Sequence, residues 1–249
     1  MKSRLDKFLV EQGLAASRER AQALILAGKV LVDEQRIDKA GAQVEAGAAI
    51  RLLDEDLKYV SRGGLKLERA LDHWLIDVRT KVCLDVGAST GGFTDCLLQR
   101  GAARVIAIDT GYGQINFKLR QDPHVRLLEK TNARYLTRDV LAEQVDFVAM
   151  DVSFISATLV LPAVVHSAFP DRPAACGRQI VLLVKPQFEA GREHVGKGGI
   201  IRDPAAHAAA VEKVRQTLLN LGFGNIEVIE SPILGVEGNR EFLLHGVLK

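Results

Sequence analysis

Asp85-Val-Gly87-Ala-Ser89-Thr-Gly91-Gly92-Phe93 is the stretch whose reading decides the fold. The apolar run Val82–Val86 before it has the length of a buried strand, and Phe93–Gln99 after it reads as a helix. Glycines between a strand and a helix let the backbone turn tightly and approach a ligand closely, and a helix N-terminus favours polar or anionic groups. The alternation continues downstream. Strands are expected at Val105–Asp109, Val125–Glu129, Phe147–Asp151, Ile180–Lys185, Ile226–Ile229 and Phe242–Val247, with helical segments between most of them, including Ala205–Leu221. Such alternation predicts an α/β fold built on a doubly wound, mostly parallel sheet. Ser231–Arg240 joins the last two strands and has no helical period, so a hairpin there puts one antiparallel strand into the sheet.

The loop also selects a cofactor class. A dinucleotide fingerprint wants glycine where this chain has Ser89. The form is instead D-x-G-x-x-x-G-G, which suits the amino-acid end of S-adenosylmethionine. Asp109 closes the next strand, where an acid can accept hydrogen bonds from both ribose hydroxyls. The expected cofactor residues are Asp85, Gly87, Ser89, Gly91, Gly92, Phe93 and Asp109, with Asn132 after the third strand beside adenine.

Ligands of open α/β sheets sit beyond the carboxyl ends of the strands. Asp151 and Lys185 each end an apolar run there. Glu241 begins the last strand, and an antiparallel strand starts at the edge where its parallel neighbours end. Lys66 lies in the segment that enters the sheet domain. A charge directly after an apolar strand costs desolvation unless it is paired. A structural ion-pair network is the competing explanation, but two lysines and two acids around a cofactor loop favour catalysis.

Residues 1–57 read as a small α+β unit. Leu5, Phe8, Leu9 and Val10 mark a helix stopped near Gly13. Ser17 is a candidate N-cap for a second helix with Ala21, Leu24 and Ile25 on one face, ended by Gly28. A strand at Val30–Val32 and a closing strand from Val44 to Leu53 complete a helix–helix–hairpin pattern. Asp54–Leu57 is the expected linker to a domain spanning 58–249.

Composition narrows the rest. The 249 residues are 47% hydrophobic and 26% charged, which excludes a disordered chain. Lys and Arg number 33 against 31 Asp and Glu, so nucleic acid must be met by local patches rather than bulk charge. Cys83, Cys96 and Cys176 form no C-x-x-C, so neither a disulfide framework nor a metal site is indicated, and a reducing cytoplasm suits them. The N-terminus has no signal-peptide pattern. The uncharged run Val152–Phe169 contains Ser153, Ser156, Thr158, His166 and Pro162, and reads as a strand end plus a packed helix rather than a membrane span.

The tetrad Lys66, Asp151, Lys185 and Glu241 resembles that of the FtsJ-like RNA ribose 2′-O-methyltransferases. The N-terminal unit resembles the S4 RNA-binding domain through Arg4-Leu-Asp6, Ser17-Arg18-x-Arg20-Ala21, Ile25-x-x-Gly28-x-Val30 and Val44-x-x-Gly47. This order, with Ser61-Arg-Gly-Gly-Leu-Lys66 at the junction, is similar to the TlyA family, whose members are also named hemolysins. The resemblance implies a Rossmann-like methyltransferase sheet and methylation of cytidine ribose in ribosomal RNA or its subunits. The short N-terminus and the early end after the last strand are expected to mark the short type of member, acting mainly on large-subunit RNA. Lys185 is then the candidate base or orienter of the 2′-hydroxyl, with Lys66 a second cation and the two acids placing both ammoniums.

RNA contact is expected from Arg4, Arg18, Arg20 and Lys39, from Arg62 at the junction, and from Tyr112 stacking on a base. Residues 1–55 hold nine Lys/Arg and nine Asp/Glu, so any positive face there arises from segregation. Three other functions compete: a non-catalytic ribosome-assembly factor, a membrane-lysing protein and a nicotinamide dehydrogenase. Ser89 argues against the last.

Overall fold

Two helices and five very short strands build the N-terminal unit in the computed structural model, which describes residues 2–53, 58–191, 195–235 and 238–249. The chain divides into units Met1–Leu57 and Lys58–Lys249. The expected linker Asp54–Leu57 lies outside the described residues.

In the first unit the order is β1 (Lys2–Arg4), α1 (Leu5–Glu11), α2 (Arg18–Leu26), β2 (Val30–Val32), β3 (Gln35–Arg36), β4 (Gln43–Glu45) and β5 (Ile50–Leu52). Leu5, Phe8 and Leu9 of α1 pack with Ala21, Leu24 and Ile25 of α2, closed by Val30 and Val44. Ser17 Oγ accepts from the Arg20 amide at 3.2 Å and caps α2. Gly28 follows α2 at φ +64, the left-handed conformation that ends a helix cheaply only with glycine.

The expected closing strand Val44–Leu53 is not one strand. A turn at Ala46–Gly47 splits it into β4, which pairs with β1, and β5, which pairs with β2 in a separate sheet of order β3-β2-β5. The turn lets one short segment serve two sheets, and β1 is an element the sequence did not announce.

Asp6 is fully buried beneath this unit's surface. Its carboxylate accepts from Arg4 at 3.0 Å, Arg18 at 2.9 Å and Gln22 at 3.0 Å. The Arg4 hydrogen bond, foremost among these, holds the Asp6 carboxyl well below the ordinary carboxylate range. A depressed folded-state pKa contributes stability that is present above the unfolded value of about 3.9 and lost as pH falls through the folded one. Amide hydrogen exchange in α1 and α2, corrected for intrinsic rates, should therefore accelerate as pH drops below about 4. Asp6→Asn should flatten that acid limb. An unchanged limb would remove Asp6 as its source.

The second unit runs α3 (Gly63–His73), β6 (Val82–Val86), α4 (Gly92–Gln99), β7 (Arg104–Ile108), α5 (Phe117–Gln121), β8 (Val125–Leu128), α6 (Arg138–Leu141), β9 (Phe147–Met150), α7 (Ala157–Ala168), α8 (Arg172–Ala175), β10 (Gln179–Val184), α9 (Pro186–Glu189), α10 (Pro204–Asn220), β11 (Phe223–Glu230) and β12 (Phe242–Leu248). One sheet holds seven strands in the order β11-β12-β10-β9-β6-β7-β8. All pairings are parallel except those of β12, which is antiparallel to both neighbours.

Helices cover both faces, so the central strands are largely apolar and alternate between two cores. Leu84, Val86, Val148, Met150, Ile180, Leu182 and Val184 face α7 and α10 through Val160, Leu161, Val164, Val165, Val214 and Leu218. Cys83, Phe147, Ala149, Val181 and Leu183 face α3 and α4 through Leu67, Leu71, Phe93 and Leu97. The uncharged run after Asp151 is thus mostly α7, buried in the first core. Among the described residues no helix is long and apolar enough to cross a membrane.

β11 runs four residues further in all than the segment read from sequence. A register shift between Gly224 and Glu227, with Asn225 at φ +48, interrupts the alternation that marks a strand. The chain proceeds from β6 outward through β7 and β8, then returns to β9 and β10 on the other side. The crevice between β6 and β9 is the topological switch point where such sheets bind ligands.

Candidate active site

The glycine loop closes that crevice from one side. Gly87 has φ +87, and a Cβ there would lie 2.3 Å from the Asp151 carbonyl oxygen. Only glycine satisfies both the left-handed backbone and this approach of the loop after β6 to the loop after β9. Gly91, at φ +98, starts α4, and Leu119 and Ile115 fill the space its side chain would take. Gly92 meets Ser61 and the Gly64 amide, so the first turns of α3 and α4 touch through glycines. Ser61-Arg-Gly-Gly and Gly91-Gly92 are the two halves of one contact.

Asp85, expected at the cofactor, lies beneath the loop instead. Alternation along β6 turns it with Cys83 toward α4, where its Oδ2 accepts from Thr94 Oγ1 at 2.6 Å. It is fully buried. Burial pushes its carboxyl up to about 7, against the opposing Thr94 hydrogen bond. Asp85 ties the strand to the helix that carries the loop and does not line the crevice.

Two clefts meet at the loop. One, of about 560 Å³, is lined by Gly87, Ser89, Asp109, Gly111, Asn132 and Phe154 among others. Asp109 Oδ2 accepts from the Ser89 amide at 2.7 Å and Oδ1 from the Gly111 amide at 2.6 Å. Each carboxylate oxygen keeps acceptor capacity for one further donor. Ser89 sits at φ +50, a strained conformation for a non-glycine residue, held by this bond to Asp109. Asn132 caps a short 3₁₀ turn by accepting from the Arg134 amide at 3.0 Å.

The second cleft, of about 280 Å³, is lined by Arg62, Lys66, Phe93, Asp151, Lys185 and Glu241 among others. The structure thus brings the four tetrad residues to one wall, arranged as two ion pairs. Lys66, on the first turn of α3, donates to Glu241 Oε2 at 2.6 Å, with side chains 10% and 2% exposed. Gly235 leaves room for that carboxylate, since a Cβ there would lie 2.1 Å from Glu241 Oε1. Lys185 Nζ lies 2.5 Å from Asp151 Oδ1 and donates its directed hydrogen bond to Ser153 Oγ at 2.7 Å. The β10–β12 register pairs Val184 with Phe242, so Lys185 and Glu241 follow on adjacent strands at the same edge.

Gly87, Ser89, Asp151 and Ser153 line both clefts and join them. Ser153 is a site residue that sequence reasoning missed. Its signal was position, two residues beyond Asp151 at the same strand end.

The expected RNA contacts divide. Tyr112 is 70% exposed with Lys130 Nζ 4.7 Å from its ring centroid, and Arg62 borders the second cleft. In the N-terminal unit Lys39 is exposed and Arg20 half-buried, while Arg4 and Arg18 converge on Asp6 and hold the fold as well as facing solvent. Among the described residues no cluster of three or more His, Cys, Asp or Glu is placed to hold a metal ion.

This architecture has known counterparts. The family model for FtsJ-like methyltransferases matches residues 59–247, and that for the S4 domain matches residues 3–50. The 16S/23S rRNA (cytidine-2′-O)-methyltransferase TlyA of Mycobacterium tuberculosis is 46% identical over 98% of this chain and 89% of its own. Hemolysin A of Brachyspira hyodysenteriae is 39% identical over 98% of this chain and 100% of its own. A solved structure described as a hemolysin from Streptococcus thermophilus is 43% identical, with a TM-score of 0.75, covering 100% of this chain and 89% of that one. The matches follow the same order as the two structural units and run nearly end to end, and the chain belongs to the TlyA family of FtsJ-like methyltransferases that carry an S4 domain.

Proposed function

We propose that this protein methylates the 2′-hydroxyl of a cytidine ribose in ribosomal RNA, in the cytoplasm, using S-adenosylmethionine. The observation that carries the reading is the junction of the two clefts. A nucleoside-binding arm at Asp109 and a charged arm at Lys185 share Gly87, Ser89, Asp151 and Ser153 as a common wall.

The residues present fit the cofactor. Asp109 retains acceptor capacity for ribose hydroxyls, Gly87 and Ser89 offer close backbone to the amino-acid end, and Asn132 stands by the base side. When bound, S-adenosylmethionine supplies an activated methyl group and a sulfonium leaving group. Asp109→Ala removes charge-assisted hydrogen bonds and should weaken its binding by about 10–100-fold in calorimetry. Unchanged affinity would place the ribose elsewhere.

The chain's own contribution is alignment and charge. An ammonium has three donors. At Lys185 one serves Ser153 and one faces Asp151, which leaves one for the 2′-oxygen. That donor orients the hydroxyl and stabilises the negative charge growing on it. An ammonium carries no lone pair, so the departing proton ends on the Asp151 carboxylate, either directly or as Lys185 gives one of its own protons to Oδ1 and takes the hydroxyl's. Lys66, fixed by Glu241, adds a second positive charge on the same wall. The S4 domain, with Lys39 and the arginine donors left over at Asp6, contributes the RNA grip.

The test is transfer of labelled methyl to purified small and large ribosomal subunits and to their naked RNA. Label recovered in an alkali-resistant, ribose-methylated cytidine dinucleotide would establish the activity and identify the subunit. Absence of transfer despite bound cofactor would favour a non-catalytic assembly factor.

A further inference from the structure

Glu189 is buried, its side chain 2% exposed, and no step above uses it. It ends α9, the single turn whose N-cap is Lys185. Its Oε2 accepts from Ser156 Oγ at 2.5 Å and its Oε1 from the Ala157 amide at 2.6 Å. Ser156 and Ala157 open α7, the helix that follows Asp151 and Ser153. Lys213 of α10 comes within 3.6 Å of the same carboxylate and donates to the Glu189 carbonyl at 2.9 Å. One carboxylate therefore joins the loop after β10, the start of α7 and the side of α10.

This junction stands where the sheet no longer helps. The β9–β10 ladder runs from Phe147 opposite Gln179 to Met150 opposite Leu182 and stops there. Asp151, Ser153 and Lys185 all lie beyond it, so no pairing between these two strands sets the distance from one loop to the other. Lysine is also among the side chains with most rotamer freedom to lose, about 1.5–2 kcal/mol. Between Lys185 and Glu189 the chain is stiff. Pro186 starts the turn, the Phe188 amide donates to the Lys185 carbonyl at 2.9 Å, and the Ala190 amide to Pro186 at 2.9 Å. A ring contact between Phe154 and Phe188, centroids 5.4 Å apart, spans the same gap.

We propose that Glu189 is a positioning residue: it pins the loop after β10 to the loop after β9 and so sets where the Lys185 ammonium stands against Asp151 and Ser153. The inference rests on the reading that Lys185 faces the reacting 2′-oxygen. A misplacement of about 1 Å in such a group can cost about a hundredfold in rate.

The experiment uses the full chain and its ribosomal RNA substrate under single-turnover conditions, with Glu189→Ala, Glu189→Gln, Lys185→Ala and the Glu189→Ala/Lys185→Ala double variant. Glu189→Ala should slow methyl transfer by about 10–100-fold, with S-adenosylmethionine affinity by calorimetry within about twofold of wild type. Glu189→Gln keeps the acceptor for Ala157 and can donate to Ser156, and should recover to within about threefold. The double variant should be no slower than Lys185→Ala, because the effect of Glu189 passes through Lys185. If Glu189→Ala does not fold, Ser156→Ala removes one bond of the junction and should slow transfer by about 3–10-fold.

A fully active Glu189→Ala beside an impaired Lys185→Ala overturns this inference alone. So does a glutamine variant as slow as the alanine one, or a double variant slower than Lys185→Ala. A fully active Lys185→Ala overturns the assignment of Lys185, and this inference with it.

Discussion

Lys185→Ala is expected to lower the rate of methyl transfer by about 10²–10⁴-fold, the range for removing a group that handles the proton and charge of a nucleophile. S-adenosylmethionine affinity should stay within about threefold of wild type, because Lys185 lines the charged cleft and not the Asp109 arm. Stability should fall as well, though by less than the roughly 3–5 kcal/mol of a fully buried pair, because the Asp151 left behind is 18% exposed while its Oδ1 is buried. Lys185→Arg should not rescue. A planar guanidinium cannot hold Ser153 Oγ and Asp151 Oδ1 in the geometry of a tetrahedral ammonium and still present a donor to the same point. Single-turnover transfer of labelled methyl, beside calorimetry and a thermal melt, separates these effects. A mutant with intact rate would overturn the assignment of Lys185 to the reacting oxygen.

Glu241→Ala should act on stability as well as rate. It leaves the Lys66 ammonium, 10% exposed, as an uncompensated charge under α3. Breaking a buried pair from one side costs about 3–5 kcal/mol. For a domain of this size that is a fall in melting temperature of roughly 6–20 °C. Replacing both partners at once, as Lys66→Met/Glu241→Leu, removes the desolvation problem with the attraction and should bring stability back to near wild type. The double variant should nonetheless transfer methyl poorly, since the second positive charge is gone from the cleft wall. Thermal melts of the single and double variants decide the matter. Equal melting temperatures for Glu241→Ala and wild type would mean that water reaches Lys66 through the cleft.

Most of the second unit was readable because its strands are buried on both faces. Val82–Val86 and Gln179–Val184 are near-continuous apolar runs, which length and flanking residues mark as strands. The antiparallel last strand followed from a loop too irregular for a crossover helix. The N-terminal unit was readable in its helices and not in its sheets. Strands of two or three residues, such as Lys2–Arg4 and Gln35–Arg36, are too short to show a period, and the pairing of Lys2–Arg4 with Gln43–Glu45 depends on the turn at Ala46–Gly47. In the site, Lys66, Asp151, Lys185 and Glu241 stood out as charges beside apolar runs. Which ammonium meets which carboxylate is a matter of helix placement and register, and that is tertiary information. Asp85 lies within β6 and turns toward Thr94, an orientation that residue type alone does not announce. Ser153 and Glu189 act through their neighbours' geometry, and neither residue type signals that on its own.

The approach of Gly87 to the Asp151 carbonyl has a consequence for how such an enzyme can change. The loop that shapes the cofactor end and the loop that begins the charged arm are in backbone contact, with no side chain between them to absorb an adjustment. Variation in what is methylated therefore has to come from elsewhere: from residues lining the outer parts of the clefts, such as Phe154 and Arg62, and from the separate S4 unit. Anyone redesigning the protein for a different acceptor can treat the switch point as a fixed hinge pin. Libraries are better spent on the rims, because a shift in either loop retunes donor and acceptor together.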